Sequence, residues 1–339
     1  MKSLDLYAIG NALVDSEYEV TQEQLELMGI DKGHMTLIDV QRRSALESIL
    51  SDIKPRQTGG GSAGNTVVAL AQLGGSAFYS CRVADDRLGH FYQKDLQTNG
   101  VLTNLSTQSL SVGQTGTCMV MVTPDAQRSM NTFLGSTSEL DESSLNIEQI
   151  QKSRVYYMEG YLAASPTGLG AALKGRKIAE QAGVALATTL SDVSMIKFCR
   201  AGLQAMVGTG LTYLFCNEEE AQVWCDTLDL NQIKKVMSSL AKVVCITRGS
   251  QGCLILENGQ TTEVQAPSVL AVDTNGAGDM FAGAFLYGCT SQDQSHADAA
   301  WLANQAAARV VSQHGNRLTL PTMQELRQHF DGRMANILG

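Results

Sequence analysis

The sequence lacks the features that mark a membrane protein, a disulfide scaffold or a nucleic-acid-binding domain. No run of eighteen apolar residues occurs in the 339-residue chain, so we predict no membrane span. The eight cysteines are scattered without a C-x-x-C pair, which predicts reduced core residues. No basic cluster interrupts a net charge of -9, which argues against a nucleic-acid partner and favours a small molecule.

The sequence also lacks the patterns that are typical of a linker, a zinc site and an export signal. With five prolines and no Pro/Gly/Ser-rich linker, the chain is predicted to form a single domain spanning residues 1–339. Its five histidines lack H-x-x-x-H or Cys/His ligand spacing, which argues against a structural zinc. The N-terminal sequence MKSLDLYAIG lacks the apolar stretch of an export signal, so we expect a cytoplasmic protein.

Short apolar runs alternate with helix-like stretches along most of the chain. This rhythm predicts an α/β fold, a doubly wound and mainly parallel sheet flanked by helices. The predicted strands are Leu4–Ile9, Arg154–Met158, Val184–Thr188, Tyr213–Cys216 and Val243–Thr247. Strand-like runs without helices between them predict a small β-sheet beside the main domain, built from insertions at about residues 11–39 and 99–135.

A glycine cluster at residues 59–64, followed by Asn65, fits two familiar patterns imperfectly. As G-x-G-x-x-G it suggests a dinucleotide site, but no buried strand is predicted directly before it. As a P-loop it lacks the lysine, because Asn65 stands there. What remains is a tight loop, or a loop of exposed amides that lets a polyhydroxylated ligand approach closely.

A second glycine cluster precedes an apolar helix-like stretch that starts near Met280. Free amides of Gly276, Ala277 and Gly278 at the start of this helix would form an anion hole for a transferring phosphoryl group. Asp279 lies in the first turn, where a carboxylate can act as general base towards an attacking hydroxyl. The alternative is an acidic residue that only complements the helix dipole.

Two further loops follow predicted strands. Thr247, Gly249 and Gly252 follow one strand, and the segment Asn217 to Glu220 follows another. Ligands of open α/β sheets gather at the carboxyl ends of the strands, so these loops and the glycine helix can enclose one site. Taken alone, residues 217–220 are also typical of a solvated helix start.

Together these motifs resemble the ribokinase-type (PfkB) family of carbohydrate and nucleoside kinases over nearly the whole chain. The two specific motifs are residues 59–65 and 273–279, and the N-x-x-E and T-x-G-x-x-G motifs match the two loops described above. The resemblance implies a ribokinase-like domain with a β-sheet lid that transfers the γ-phosphate of ATP to a primary hydroxyl. It implies Asp279 as the base and residues 276–278 as the anion hole. It also implies that Glu220, with Asn217, positions Mg²⁺ largely through water.

The resemblance assigns the remaining site residues too. The ATP site is formed by Thr247 and Gly249 to Gly252, with Asn304 near the adenine. The acceptor site consists of Asn11, Asp15, Gly60, Gly61 and Asn65, with Asp15 gripping two ribose hydroxyls. Some relatives use a monovalent cation such as K⁺ near the anion hole, to which Asp273, Asn275 and residues 312–316 could contribute oxygens.

Within the family, Asn275 and the lid segment 127–135 resemble adenosine kinases, bacterial members among them, more than ribokinase or fructokinase. This favours the 5′-hydroxyl of adenosine or a related nucleoside as acceptor, with Arg128 as a lid arginine that approaches the phosphates on closure. Tyr18, Phe133 and Tyr161 are candidates for stacking on a purine. The alternatives are a sugar kinase acting on fructose or ribose, a sensor without turnover, and a dehydrogenase. Both a monomer and a homodimer are compatible with the sequence.

Overall fold

The computed structural model describes residues 2–106, 110–124 and 127–338. Residues 107–109 and 125–126 of the predicted insertion 99–135 lie outside this range. The strands are β1 (Leu4–Ile9), β2 (Leu13–Glu19), β3 (Met35–Leu37), β4 (Arg56–Gly60), β5 (Ala77–Ser80), β6 (Leu102–Thr103), β7 (Thr117–Val122), β8 (Arg128–Phe133), β9 (Ser153–Met158), β10 (Ala185–Thr189), β11 (Leu211–Asn217), β12 (Ala241–Thr247), β13 (Cys253–Glu257) and β14 (Gln260–Val264).

The helices connect and cover these strands. They are α1 (Gln22–Leu27), α2 (Val40–Ile49), α3 (Ser62–Gln72), α4 (Arg87–Thr98), α5 (Ile147–Lys152), α6 (Pro166–Gln181), α7 (Val193–Phe198), α8 (Arg200–Val207), α9 (Glu218–Cys225), α10 (Leu230–Met237), α11 (Ala277–Thr290), α12 (His296–Val311) and α13 (Leu320–Leu338). In the described part of the chain, no helix is both long and apolar enough to cross a bilayer.

The large sheet has the strand order β14-β13-β12-β11-β10-β9-β1-β5-β6. Its pairs are parallel from β6 to β12, and β13 and β14 add an antiparallel edge. Side chains alternate across the pleat, so Leu6 and Ala8 join the core under α3, α11 and α12, while Tyr7 and Ile9 join the core under α5 to α9. Helices on both faces confirm the predicted doubly wound α/β fold.

The smaller sheet has the order β3-β8-β7-β2-β4. Its outer face packs on α1 and α2 through a separate apolar cluster that contains Leu25, Leu46, Met119 and Met121. Four of its strands fall inside the two predicted insertions. The fifth strand, β4, leads directly into the glycine cluster, and β6 of the second insertion belongs to the large sheet instead.

Candidate active site

Helix α11 starts at the second glycine cluster, where one of the three amides predicted to be free, that of Ala277, is already engaged. Gly276 is the N-cap residue with φ +76°, and no side chain caps it. A Cβ at this position would overlap the backbone of Asn316, so glycine is required there. The amide of Ala277 donates to the carbonyl oxygen of Thr274 at 3.3 Å. The amide of Gly278 lies in the first helical turn, which has no intrahelical acceptors, and the space beside its Cα is open.

The Asp279 carboxylate lies in this first turn and is held by two donors from the start of α3. Ser62 Oγ donates to Oδ1 at 2.6 Å, and Asn65 Nδ2 donates to Oδ2 at 2.9 Å. Burial raises the pKa of Asp279, while these two hydrogen bonds and the positive charge of Arg317 lower it. The structure therefore brings the proposed base, Asn65 and the helix start together.

Asp15 faces this group from the small sheet. Its Oδ2 accepts a hydrogen bond from Asn316 Nδ2 at 2.6 Å. Burial raises the pKa of Asp15 to about 7, an effect that Arg317 and Arg128 oppose and Asp279 reinforces. Asp279 on the main domain thus lies close enough to Asp15 on the lid to influence the ionisation of Asp15.

The first glycine cluster forms the turn from β4 into α3, and its glycines make room for the protein's own groups. A Cβ on Gly60 would overlap the Asp15 carboxylate, and one on Gly61 would overlap the carbonyl oxygen of Asn11. Gly61 also has φ +82°, which favours glycine. The sequence predicted that the missing side chains admit a ligand. In the structure they admit Asp15 and Asn11, which brings these predicted acceptor residues against the loop.

Glu159 belongs to the site, although sequence reasoning missed it. It follows β9 directly, is buried, and accepts hydrogen bonds from Asn11 Nδ2 at 2.8 Å and from the Ala63 amide at 2.8 Å. Burial raises the pKa of Glu159 to about 7, although these hydrogen bonds oppose the rise. Its position at the carboxyl end of a predicted strand was a usable signal, because ligands gather at that edge.

Asn217 and Glu220 form a reciprocal capping box at the start of α9. The Asn217 amide and Nδ2 donate to the two carboxylate oxygens of Glu220 at 3.1 and 2.8 Å, and Glu220 N donates to Asn217 Oδ1 at 2.8 Å. Burial raises the pKa of Glu220 to about 7, and the negative charges of Asp192, Glu219 and Asp279 add to this. The sequence predicted the pairing partner but not that both oxygens are already engaged.

These carboxylates fit magnesium bound mainly through water and phosphate. No group of three His, Cys, Asp or Glu side chains that could cage a metal exists among the described residues. Mg²⁺ typically uses one or two carboxylates together with phosphate oxygens and water, so a full protein cage is not needed. Glu220 supplies oxygen donors of the kind that Mg²⁺ prefers, and the Asp192 carboxylate lies close enough to add to the rise in the pKa of Glu220.

The predicted nucleotide loop follows β12, and Thr247 lies at the end of that strand. Gly249 begins a 3-10 turn, and Gly252 ends it with φ +82° where a Cβ would overlap the Val264 carbonyl oxygen. Asn304 Nδ2 donates to the carbonyl oxygens of Val264 at 2.8 Å and Gln265 at 3.3 Å. Asn304 therefore fixes the chain after β14, and its proximity to adenine stays a prediction.

Arg128 ties the lid to the loop before α11. Its guanidinium lies 2.7 Å from Glu17 on the lid and 3.0 Å from Asp273. The Asp273 carboxylate also accepts hydrogen bonds from the amides of Asn275 at 3.1 Å and Gly315 at 2.9 Å. Donors therefore surround Asp273, and its part in a monovalent-cation site stays a prediction. So does the approach of Arg128 to the phosphates.

One of the three candidate purine-stacking aromatics, Tyr18, is wrong. Tyr18 is an odd number of residues from Asp15 on β2, so it points to the opposite face, where it packs with Met119 and Met121. The Arg43 guanidinium lies over the ring of Phe133 at 5.1 Å, but Phe133 lines a cavity together with Leu37 and Thr132, so its stacking role stays a prediction. The stacking role of Tyr161 also stays a prediction: burial raises the pKa of its hydroxyl, and the negative charges of Asp192 and Asp279 add to this.

Four carboxyl groups have a raised pKa, and the three that are raised to about 7 predict an unusual pH dependence of stability. Asp15, Glu159 and Glu220 have pKa values near 7 in the folded protein, against ordinary values near 4 in the unfolded chain. The folded state therefore binds more protons between these limits, and the free energy of unfolding falls as pH rises. We expect the melting temperature of the ligand-free protein to drop from about pH 5.5 to about pH 8. A constant or rising melting temperature over this range would contradict the raised pKa values, and an Asp15→Asn variant should show a shallower drop.

The known proteins to which this chain is similar are carbohydrate and nucleoside kinases. A family model described as pfkB family carbohydrate kinase matches residues 25–323. The solved structure of adenosine kinase from Sinorhizobium meliloti is 33% identical with a TM-score of 0.87, and the match covers 97% of this chain and 100% of that one. A probable sugar kinase from Rhizobium etli CFN 42 is also 33% identical with a TM-score of 0.87, covering 97% and 99% of the two chains. Mouse ribokinase is 29% identical over 236 residues, 67% of this chain and 70% of its own length.

Proposed function

Because this chain belongs to the pfkB family of carbohydrate kinases and is a nucleoside or sugar kinase, we propose that it transfers the γ-phosphate of ATP to the 5′-hydroxyl of adenosine or a related nucleoside. Asp279 is the general base, and the amides of residues 276–278 form the anion hole. Asp15 accepts hydrogen bonds from the two ribose hydroxyls. The names of the relatives include both acceptor types, so the choice between them depends on the geometry of the lid.

The observation that favours a nucleoside is a row of side chains across the inner face of the lid. Asp15 pairs with Cys118, Cys118 with Thr132, and Thr132 with Leu37, and directly paired residues project to the same face. The row therefore starts at a carboxylate and ends at an apolar side chain. Leu37 is 63% exposed, and neighbouring strands are about 4.8 Å apart, so the apolar end lies beyond the reach of a single furanose ring.

A nucleoside matches this gradient from polar to apolar. Its vicinal hydroxyls suit the carboxylate of Asp15, which accepts two hydrogen bonds. Its base is flat and largely apolar on its faces, so it would cover Leu37 and the adjacent Met35, which is 46% exposed. A free hexose or pentose would leave this apolar surface in contact with water.

The residues of the site have different roles in the proposed reaction, as base, anion hole and holder of the metal. Asp279 takes the proton of the acceptor hydroxyl as that oxygen attacks the γ-phosphorus, and the bond to the leaving ADP oxygen breaks. The first-turn amides of α11 stabilise the charge on the transferring group, because the helix orients them before the reaction. When bound with ATP near Glu220, magnesium supplies the charge neutralisation that the missing P-loop lysine cannot.

The proposal is tested by measuring ADP release with ATP and Mg²⁺ against adenosine, inosine, guanosine, cytidine, ribose and fructose. We expect the highest kcat/KM with a purine nucleoside. Turnover with ribose or fructose alone would move the acceptor to a free sugar and leave the base assignment in place. A cytoplasmic location and a requirement for K⁺ are further proposals, and omission of K⁺ from the same assay tests the second.

The lid row makes a separate prediction for Leu37. Replacing Leu37 by Ser should raise the KM for the nucleoside by about tenfold, because the base loses apolar contact worth about 1–2 kcal/mol. The KM for ATP should stay within about twofold of wild type, a difference of less than about 0.5 kcal/mol. Leu228→Ser is a matched control, since Leu228 is 80% exposed and lies in the loop between α9 and α10. Equal acceptor KM values for both variants would argue against a base on the lid row.

A further inference from the structure

Arg317 makes more contacts with the proposed site than its place in the sequence suggests. It lies between α12 and α13, outside every motif described above. Its Nε donates to Asn65 Oδ1 at 2.8 Å, and its Nη1 lies 2.5 Å from Asp95 Oδ2 on α4. The side chain is only 10% exposed. A Cβ on Gly59 would overlap this ion pair, so the glycine turn leaves space for it.

The contact with Asn65 fixes which end of its carboxamide faces the base. A guanidinium has only donors, so it can face the Asn65 oxygen but not the nitrogen. With Oδ1 held by Arg317, Nδ2 must point the other way, where it donates to Asp279 at 2.9 Å. Without Arg317 the carboxamide can turn over and place its oxygen against the carboxylate. Asp279 would then lose one of its two donors and rotate away from the acceptor hydroxyl.

Asn316, which precedes Arg317 in the sequence, contacts the acceptor side of the site. Asn316 Nδ2 donates to Asp15, while Arg317 reaches Asn65, so two consecutive side chains connect the acceptor carboxylate and the base. The guanidinium thus contacts the site on two sides, through Nε and Nη1, while the N–H groups of the buried Nη2 have no hydrogen-bond acceptor among the described residues.

We propose that Arg317 is a positioning residue for phosphoryl transfer, which orients the Asn65 carboxamide so that it donates to Asp279. This inference rests on the proposed function, because it takes Asp279 as the general base. Asp95 holds the guanidinium from the opposite side, so the chain of contacts runs from α4 through Arg317 and α3 to α11.

Arg317 also influences the ionisation of the base. Its positive charge lowers the pKa of Asp279, which burial raises. Among the described residues, the other titratable or charged groups that interact with Asp279 or with the adjacent Asp15 are Glu17, Cys118, Arg128, Tyr157, Glu159, Tyr161 and Glu220. Loss of Arg317 leaves the carboxylates of this set in place and removes a cation, so the pKa of Asp279 rises. The base must be ionised to accept a proton, so the acidic limb of the kcat profile moves to higher pH.

A double-mutant cycle tests the proposal with the acceptor that the wild-type protein turns over best. Arg317→Met removes every donor while keeping a stem of similar length. We expect it to lower kcat by about 100-fold, as misplacement of a reacting group does. In an Asn65→Ala background the same change should lower kcat by less than about threefold further, because Arg317 acts through Asn65. If kcat of the double variant falls by the product of the two single-variant reductions, the two residues act independently and the proposal is overturned.

The Arg317→Lys variant distinguishes the effect of the positive charge from the effect of orienting Asn65. It is also the variant to measure if Arg317→Met does not fold. It keeps the positive charge, so the acidic limb should stay near its wild-type position, whereas the limb of Arg317→Met shifts. An equal shift for lysine and methionine, or none for methionine, would contradict a role in tuning the base.

Arg176→Gln is the control for loss of a buried arginine. Arg176 is as buried as Arg317 but bonds to backbone carbonyls of Met206 and Gly210 on the far side of the large sheet. We expect a lower melting temperature with an unchanged pH profile of kcat. Asp279→Asn tests the proposed function separately. If that variant keeps its turnover, the assignment of Asp279 as the base is wrong. If Asp279→Asn loses turnover but the Arg317 variants behave like wild type, only the positioning role of Arg317 is wrong.

Discussion

Asp279→Asn is expected to lower kcat by about 10²–10⁴-fold, the usual contribution of general acid–base catalysis. Asparagine has nearly the same shape and can still receive a hydrogen bond from Ser62 or Asn65 through its oxygen, but it cannot take a proton. The KM values for ATP and acceptor should remain close to wild type, because the interaction with the base develops in the transition state. The measurement is steady-state kinetics with the preferred acceptor.

Asp229→Asn is the matched control for this change. Asp229 caps α10 by accepting a hydrogen bond from the Asn231 amide at 2.9 Å, and asparagine caps a helix equally well. It should therefore leave kcat unchanged. Near-normal turnover by Asp279→Asn would exclude Asp279 as the base and return it to the alternative role, an acidic residue that complements the dipole of α11.

Asp15→Ala is expected to raise the KM for the acceptor by about 100-fold or more, because two hydrogen bonds to a charged group are each worth about 1.5–3 kcal/mol. The KM for ATP should change little. Since burial raises the pKa of Asp15 to about 7, the wild-type carboxylate is partly protonated at neutral pH. The acceptor KM of the wild-type protein should therefore rise as pH falls below about 7, and the alanine variant should lose this dependence.

Ser16→Ala distinguishes acceptor binding from damage to the lid. Ser16 follows Asp15 on β2 but faces the other side of the small sheet, where it bonds to Gln57 at 3.1 Å. We expect Ser16→Ala to change the melting temperature and not the acceptor KM. Equal effects of Asp15→Ala on the KM values of ATP and acceptor would indicate a structural role for Asp15.

The sequence was sufficient where a local pattern determines the structure. Five strands of the large sheet are predicted from short apolar runs, and each of these lies within two residues of its observed bounds. The helix start at Asp279 follows from glycines before an apolar stretch, and the pair Asn217 and Glu220 has the spacing of a capping box. In each case residues close in the chain carry the whole signal.

Contacts between distant segments could not be predicted in this way. Arg317 lies 252 positions from Asn65, and only the packing of the segment after α12 against the glycine turn brings them together. The position of Glu159 after a strand marks it as a candidate, but its hydrogen bonds with Asn11 and Ala63 join segments that are distant in the chain. The strand β4 contains two glycines and no apolar run, so it depends on pairing with β2 for its conformation.

The error over Tyr18 has a different origin. Asp15 and Tyr18 are three residues apart, and side chains alternate along a strand, so the sequence already excluded a common face once β2 was recognised. Alternation along one strand cannot show which residues of neighbouring strands are paired. The register of the strands in the structure shows that Asp15 is aligned with Cys118, Thr132 and Leu37 across four strands. The preference for a nucleoside follows from that alignment.

A competition between adenosine and ribose tests the central claim most directly. Both acceptors are supplied together at equal concentration with limiting ATP and Mg²⁺, and the phosphorylated products are identified by ³¹P NMR, so their ratio gives the ratio of kcat/KM values. The account predicts a nucleoside 5′-monophosphate as the dominant product with wild-type protein and neither product with Asp279→Asn. A dominant ribose phosphate, or undiminished product from the Asp279→Asn variant, would contradict it.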